Sequence, residues 1–287
     1  MNSKLVLFTD IDNTLFDWID YFAPCFRAMV HALAYTTELE EEEIYRQFKE
    51  VYTRFETAEY RHAIQELELY RRETPEMQKR LLEAGFVAFS RARRRRLQAY
   101  TTVPSTLHWL KQQGVVIIGV TNSWVVDAVA RLRSLGIGKY LDGLIAWDGL
   151  QVHGGQPSIP PARSPIRRVV TIPSEYRKPS PEGYRTALIS CGIGLQSKLW
   201  VIGDSVTNDL APARELGAST IWAKYGRKYD QLNFETVVRI THWGKELITK
   251  TYDSTTLTPD FIIDDFAQLR SIIPKMQEEL FPDLASD

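Results

Sequence analysis

Cysteine is almost absent from this chain of 287 residues: Cys25 and Cys191 are the only two, with no CxxC spacing. That excludes a disulfide scaffold, disfavours a structural zinc site, and points to a reducing compartment. Long apolar runs are missing as well. Leu5 to Phe8 is too short for a signal-peptide core, and no later run approaches the roughly 18 apolar residues of a membrane span. Neither charge is in excess. Lys+Arg number 35 against 36 Asp+Glu, a formal net charge of −1, so there is no global electrostatic case for a nucleic-acid or membrane partner. Repeats and low-complexity tracts are also lacking. The expectation is a soluble cytoplasmic protein, a monomer or homodimer, that binds neither nucleic acid nor membrane.

What is present suits a globular protein. Hydrophobic residues make up 44% and aromatic residues 11%, enough to cover a core and to exclude a disordered chain. The length allows one large domain or two smaller ones. Leu5 to Phe8 reads as a strand buried on both faces, ending in the loop formers Thr9 to Thr14. From Asp17 to about Tyr100 the pattern is helical: Glu38 to Phe55, Ala58 to Arg72 and Pro75 to Leu97 carry apolar residues at three- and four-residue spacing. Thr74 before Pro75 is an N-cap candidate. The arginine tract Arg91 to Arg96 closes a predicted helix, where positive charge complements the macrodipole, and is expected to be a solvated face.

Beyond Tyr100, strands and helices alternate. Strands are expected at Val115 to Val120, Leu144 to Trp147, Leu199 to Ile202, Thr220 to Ala223 and Phe261 to Ile263. Helices are expected at Ser105 to Gln113, Ser123 to Leu135, Pro181 to Ser190 and Thr207 to Leu216. Such alternation implies βαβ units and a parallel sheet. Two segments have no clear period: Gln151 to Arg177, rich in Pro and Arg, and the polar stretch Tyr225 to Pro259. Loops of this length are uncommon and usually functional.

In parallel α/β sheets, ligands bind beyond the carboxyl ends of the strands. Asp10 and Asp12 follow the first strand. Thr121, Asn122 and Ser123 follow the second, and Asp204, Asn208 and Asp209 follow the strand ending at Ile202. Lys178 precedes the helix leading into that strand. Four carboxylates are thus expected at one sheet edge. Two like charges about 4 Å apart repel by roughly 4 kcal/mol at an effective dielectric of 20, so a counter-ion is required. An all-oxygen ligand set without Cys or His favours Mg²⁺ over Zn²⁺. A divalent ion, a lysine and a hydroxyl are what phosphoryl oxygens need; a free carboxylate beside them can be a nucleophile, and a second can exchange a proton with the leaving group and with water.

These strings resemble the four motifs of the haloacid dehalogenase (HAD) superfamily, in that family's order. Asp10-Ile11-Asp12-Asn13-Thr14 is similar to the first, DxDxT; Thr121-Asn122-Ser123 to the second; Lys178-Pro179 to the third; and Gly203 to Asp209 to the fourth, GDxxxND. The resemblance runs from Lys4 to Leu15 and from about Val103 to Asp265. It implies an α/β class fold: a Rossmann-like parallel core, 1–16 and 101–287, with an inserted all-helical cap, 17–100.

By the same resemblance Asp10 would be the nucleophile and a metal ligand. Asp12 would be the general acid/base and offer its backbone carbonyl to the metal. Thr121 and the backbone amide of Asn122 would bind the phosphoryl group, and Lys178 would balance charge there. Asp204 would ligate Mg²⁺ directly and Asp209 directly or through water. The implied activity is a Mg²⁺-dependent phosphatase acting on a small phosphorylated metabolite through an aspartyl-phosphate. A phosphomutase acting on a sugar phosphate and a catalytically silent HAD-like binding or scaffold protein are the alternatives. A dehalogenase and a phosphonate hydrolase are disfavoured by the presence of Asp12.

Overall fold

The structure, a computed structural model, describes residues 4–149, 164–194, 196–241 and 257–273. Its elements run β1 (Leu5–Thr9), α1 (Trp18–Thr37), α2 (Glu41–Phe55), α3 (Ala63–Glu66), α4 (Glu68–Arg71), α5 (Pro75–Arg96), α6 (Val103–Gln112) and β2 (Val116–Trp124). They continue with α7 (Val125–Ser134), β3 (Gly143–Trp147), β4 (Val169–Ile172), α8 (Glu182–Ser190), β5 (Lys198–Gly203), α9 (Ala211–Arg214), β6 (Ser219–Ala223), α10 (Gln231–Ile240) and β7 (Phe261–Ile263). The chain divides into an α/β unit, Met1–Phe16 with Ala99–Lys228 and Thr251–Asp287, and a helical unit, Asp17–Gln98 with Tyr229–Lys250.

The α/β unit is a seven-stranded sheet of order β4-β3-β2-β1-β5-β6-β7, and every pairing is parallel. All five residues of β1 are buried, as its unbroken apolar run requires of a central strand covered on both faces. Val6 and Phe8 pack in one cluster with Ile118, Val120, Ile145, Tyr184 and Val201. Alternate side chains of a strand face opposite sides, so the buried Leu5 and Leu7 serve the other face. The chain moves from β1 outward through β2 to β4, then returns to β5 on the other side of β1. That reversal is a topological switch point, where ligands bind in open α/β sheets.

Several local expectations are corrected. β2 continues past Val120 to Trp124, with a register shift against β3 between those two residues; such an irregularity re-aims side chains. Helix α7 therefore begins at Val125, not Ser123. The Gln151 to Arg177 segment, which lacks a sequence period, supplies edge strand β4; its residues 151–163 lie outside the described residues. The predicted helix Thr207 to Leu216 is a wide π-type turn over Val206–Leu210 followed by the short α9. The predicted helix Ala58 to Arg72 is two short ones, because fully buried Leu67 takes an extended backbone between them.

The helical unit is built around aromatic rings. Phe26 meets Phe48 edge-on at 4.9 Å and stacks on Phe22 at 5.9 Å, distances at which ring pairs add to simple area burial. Thr74 caps α5, accepting from the Met77 amide, with Pro75 in its first turn. Helix α10 joins this unit, although the sequence placed Tyr225 to Pro259 in the α/β core. Arg27 on α1 donates to Thr236 at 2.8 Å and Asn233 at 2.7 Å, and Arg239 pairs with Glu42. The remainder of that stretch, 242–256, lies outside the described residues. No helix among the described residues is long and apolar enough to cross a membrane.

Cys25, fully buried on α1, has its thiol pushed up to about 12 by burial, with Arg93 and Arg96 pulling slightly the other way. The thiol therefore stays protonated near neutral pH, and the thiolate is the reactive form. In a disulfide-exchange assay on the native protein, half-buried Cys191 is expected to react first and Cys25 only on denaturation. Equal native rates for the two would contradict the packing.

Candidate active site

The site is assembled at the switch point by the loops leaving β1 and β5, by the end of β2 that carries Thr121, Asn122 and Ser123, and by the segment between β4 and α8 that carries Lys178. The Asp10 amide still donates to Ile202 of β5 at 2.9 Å, so the strand ladder fixes where the loop departs. Asn13 then takes a positive φ of 58°, which asparagine tolerates better than most residues. The turn is closed by the Leu15 amide on the Ile11 carbonyl at 2.9 Å and by the Tyr225 hydroxyl on the Thr14 carbonyl at 2.6 Å. It presses against Gly226, where an added Cβ would lie 1.9 Å from the Asn13 carbonyl oxygen and 2.9 Å from Asp204 Cβ. Gly226→Ala must therefore move backbone. A stability loss of about 1–3 kcal/mol is expected, as for overpacking, together with reduced activity, read by urea melts and turnover.

Asp10, Asp204 and Asp209 are all buried, and each offers a carboxylate oxygen within 4.8 Å of the others. Lys178 Nζ bridges two of them, donating to Asp10 Oδ1 at 2.5 Å and Asp209 Oδ1 at 2.6 Å. The other Asp209 oxygen accepts from the Ser205 amide at 3.0 Å. That fold-back is possible because residue 203 is glycine; a Cβ there would come 2.3 Å from Asp209 Oδ2. Asp204 Oδ2 accepts from Arg227 at 2.8 Å, and Thr14 Oγ1 donates to Asp10 Oδ2 at 3.2 Å.

Burial and charge oppose one another here. Burial pushes the Asp10 carboxyl well above the usual carboxylate range; Lys178 pulls it down, and Asp209, Asp204 and Asp12 add to the rise. Asp204 is pushed up to about 6, mainly by burial, with Arg227 opposing and Asp209 reinforcing. Burial works against the Lys178 ammonium, yet the Asp10 and Asp209 carboxylates outweigh it and hold its pKa well above the ordinary lysine value. When ionised, these three carboxylates exceed by one charge the two cations that contact them among the described residues, Lys178 and Arg227. With hard oxygen donors only, the set fits a divalent ion such as Mg²⁺.

Asp12 stands apart from that cluster. Its Oδ2 accepts from Ser123 Oγ at 2.6 Å and from Thr121 Oγ1 at 3.2 Å. Asn122 braces the lysine: its side chain donates to the Lys178 carbonyl at 2.8 Å and accepts from the Lys178 amide at 2.7 Å. The fold thus gathers Asp10, Lys178, Asp204 and Asp209 in one group and Asp12, Thr121 and Ser123 in an adjoining one.

Three partners escaped the sequence reading. Arg131 is buried on α7 and reaches Ser123 and Asp12; an arginine amid the apolar stripe Val125, Ala128, Val129 and Leu132 was the available signal. Arg227 lies in the Tyr225 to Pro259 stretch, where no period marked it. Tyr184, which donates to the Asp209 carbonyl at 3.1 Å, looked like any core aromatic.

The fold and site define a class: a parallel α/β sheet whose switch point gathers three buried carboxylates and a lysine, a set that could hold a divalent ion. The sequence profile of the haloacid dehalogenase-like hydrolases matches residues 4–217, and a related HAD-hydrolase-like profile matches residues 175–269. The chain belongs to the haloacid dehalogenase-like hydrolase family. Glyceraldehyde 3-phosphate phosphatase of Methanopyrus kandleri is 26% identical over 231 residues, spanning 79% of this chain and 86% of its own.

Among solved structures, 2-haloacid dehalogenase of Pseudomonas syringae pv. Tomato superposes with a TM-score of 0.55 at 19% identity, covering 95% of this chain and 99% of that one. The magnesium-bound HAD-hydrolase YfnB of Bacillus subtilis gives 0.54 at 15% identity, with 95% and 99% covered. At such identities these two likenesses speak for the fold alone.

Proposed function

We propose that the protein is a Mg²⁺-dependent phosphatase acting on a small phosphomonoester through an aspartyl-phosphate. The observation that carries this reading is the split of the carboxylates: Asp10 beside Lys178, Asp204 and Asp209, with Asp12 held separately by two hydroxyls and Arg131. One carboxylate is thereby suited to bond formation and another to proton transfer. The phosphatase name of the 26% identical relative supports a phosphoester over a haloacid.

Asp10 and Asp204 would hold the ion, Asp209 directly or through water, with the Asp12 carbonyl as a further ligand. When bound, the ion neutralises the carboxylates and draws charge from the phosphoryl oxygens. In the first step an Asp10 carboxylate oxygen bonds to phosphorus as the ester P–O bond breaks. Asp12 gives its proton to the departing alkoxide, leaving an alcohol and the Asp12 carboxylate. Lys178, the Thr121 hydroxyl and the Asn122 amide bind the phosphoryl oxygens. In the second step Asp12 takes a proton from water as the water oxygen bonds to phosphorus and the Asp10–phosphorus bond breaks. Inorganic phosphate leaves, with Asp10 restored and Asp12 protonated.

Turnover of p-nitrophenyl phosphate with Mg²⁺, and its loss in EDTA, is the primary test. No turnover under either condition would overturn the reading and favour a silent binding protein. Asp12→Ala is expected to lose about 10²–10⁴-fold on alkyl phosphates, the usual weight of acid–base catalysis. An aryl ester needs less protonation on leaving and should lose less in its first step; equal single-turnover losses on both would remove the acid role.

A further inference from the structure

The hydroxyls that hold Asp12 are themselves held from behind. Ser123 Oγ sits 2.6 Å from Asp12 Oδ2 and accepts from Arg131 Nη2 at 2.7 Å. A guanidinium has only donors, so the serine must be the acceptor in that contact and its one proton is directed to Asp12. Thr121 Oγ1 accepts from the Ser123 amide at 3.1 Å and donates to the same Asp12 oxygen at 3.2 Å. Arg131 Nη2 also lies 3.4 Å from Asp12 Oδ1. Its side chain is only 3% exposed, and its guanidinium stands 5.8 Å from the Phe16 ring. A buried charge of this kind persists where its hydrogen bonds repay desolvation, and both of these contacts lead to the Asp12 carboxylate.

Thr121 has one hydroxyl proton. If it turns that proton to a phosphoryl oxygen, as the reading above requires, its bond to Asp12 is given up. Ser123, aimed by Arg131, is then the hydroxyl still holding the carboxyl in place during both proton transfers. We infer that Arg131 and Ser123 form a positioning pair that aims the Asp12 carboxyl at the leaving-group oxygen and then at the attacking water. Arg131 acts through Ser123 and through its own ion pair with Asp12, and does not touch substrate. This inference rests on the general acid/base assignment of Asp12 and adds to it the residues that make the assignment geometrically possible. The balance of the steps is unchanged: the proton moves between Asp12, the leaving group and water, and Arg131 and Ser123 keep theirs.

The test is single-turnover release of alcohol from an alkyl phosphate and of p-nitrophenol from p-nitrophenyl phosphate, with Mg²⁺, for wild type, Arg131→Met, Ser123→Ala, Asp12→Ala and the double variants. Arg131→Met and Ser123→Ala are each expected to slow the alkyl ester about 10–100-fold, a part of the full acid–base contribution. The aryl ester should slow at least 10-fold less, so the ratio of the two rates widens. In the Asp12→Ala background neither change should widen it further, since the group being aimed is gone. A structural role would slow both esters alike and add to the Asp12→Ala loss; that pattern in Ser123→Ala overturns the inference. Ser123→Ala removes a single oxygen and decides the matter even if Arg131→Met fails to fold. Asp12→Ala widening the ratio while Ser123→Ala does not would overturn the positioning pair and leave the acid role standing. A wild type inactive on both esters would overturn the phosphatase reading and this inference together.

Discussion

Asp10→Asn is expected to abolish turnover, by about four orders of magnitude or more, because the amide cannot form the bond to phosphorus that the proposed mechanism needs. The fold should survive. Lys178 keeps its 2.6 Å contact with Asp209, and the buried cluster loses one of several mutually repelling carboxylates. Urea melts of the metal-free variant are therefore expected within about 1 kcal/mol of wild type, since an isosteric change here removes charge without leaving a cavity. Beryllium fluoride, a phosphoryl mimic, should protect the wild type from thermal unfolding in the presence of Mg²⁺ and leave Asp10→Asn unaffected. Turnover by the folded variant at a rate near wild type would rule out Asp10 as nucleophile.

Lys178→Met carries the largest expected cost in stability. The lysine side chain is 5% exposed, and it is the shared partner of Asp10 and Asp209. Removing one member of a buried ion pair leaves uncompensated charge and typically costs about 3–5 kcal/mol. At roughly 2–4 °C per kcal/mol for a domain of this size, the melting temperature of metal-free protein should fall by about 10 °C. Two further measurements identify the cause. Saturating Mg²⁺ should recover part of the loss, about 2.7 kcal/mol at a hundredfold excess over Kd. Adding Asp10→Asn should also recover part of it, because one of the stranded carboxylates is then neutral. A Lys178→Met protein that melts with the wild type would show that the carboxylates do not depend on this ammonium.

The two effects separate what one lysine does. Its charge is structural in the resting site, where the Asp10 and Asp209 carboxylates hold its pKa well above the ordinary lysine value against the cost of burial. In the proposed mechanism the same charge would serve a phosphoryl group once a metal ion took over the neutralisation of those carboxylates. The Asn122 side chain, bonded to both backbone polar groups of Lys178, fixes the origin from which the ammonium reaches Asp10 and Asp209.

Much of this was legible in the chain itself. Leu5 to Phe8 is apolar without alternation, which only a strand covered on both faces tolerates, and β1 is the centre of the sheet. The carboxylates could be gathered because strand ends are one-dimensional landmarks: in a parallel sheet all of them lie on one edge. Thr74-Pro75 announced the start of α5 for a purely local reason, an N-cap followed by proline. Local chemistry of this kind survives folding because tertiary contacts have no cause to override it.

Other features depend on contacts between residues far apart in sequence. The Thr-Asn-Ser string reads equally well as a helix N-cap, and only the approach of Asp12 and Arg131 turns Ser123 away from capping. Arg131 stands out only as a charge amid an apolar stripe and Arg227 has no local mark, and their carboxylate partners lie 119 residues back and 23 residues back in the chain, at Asp12 and Asp204. Edge strand β4 and helix α10 fall in stretches without a period; pairing with β3 and packing against α1 select their conformations. The sequence by itself determined six of the seven strands, the carboxylate set and the lysine, since these follow from periodicity and from position at strand ends. How the partners divide, with Lys178 and Arg227 on Asp10, Asp204 and Asp209 and with two hydroxyls and Arg131 on Asp12, was decided by the tertiary structure alone, because that depends on how burial sets each charge against the few partners brought close to it.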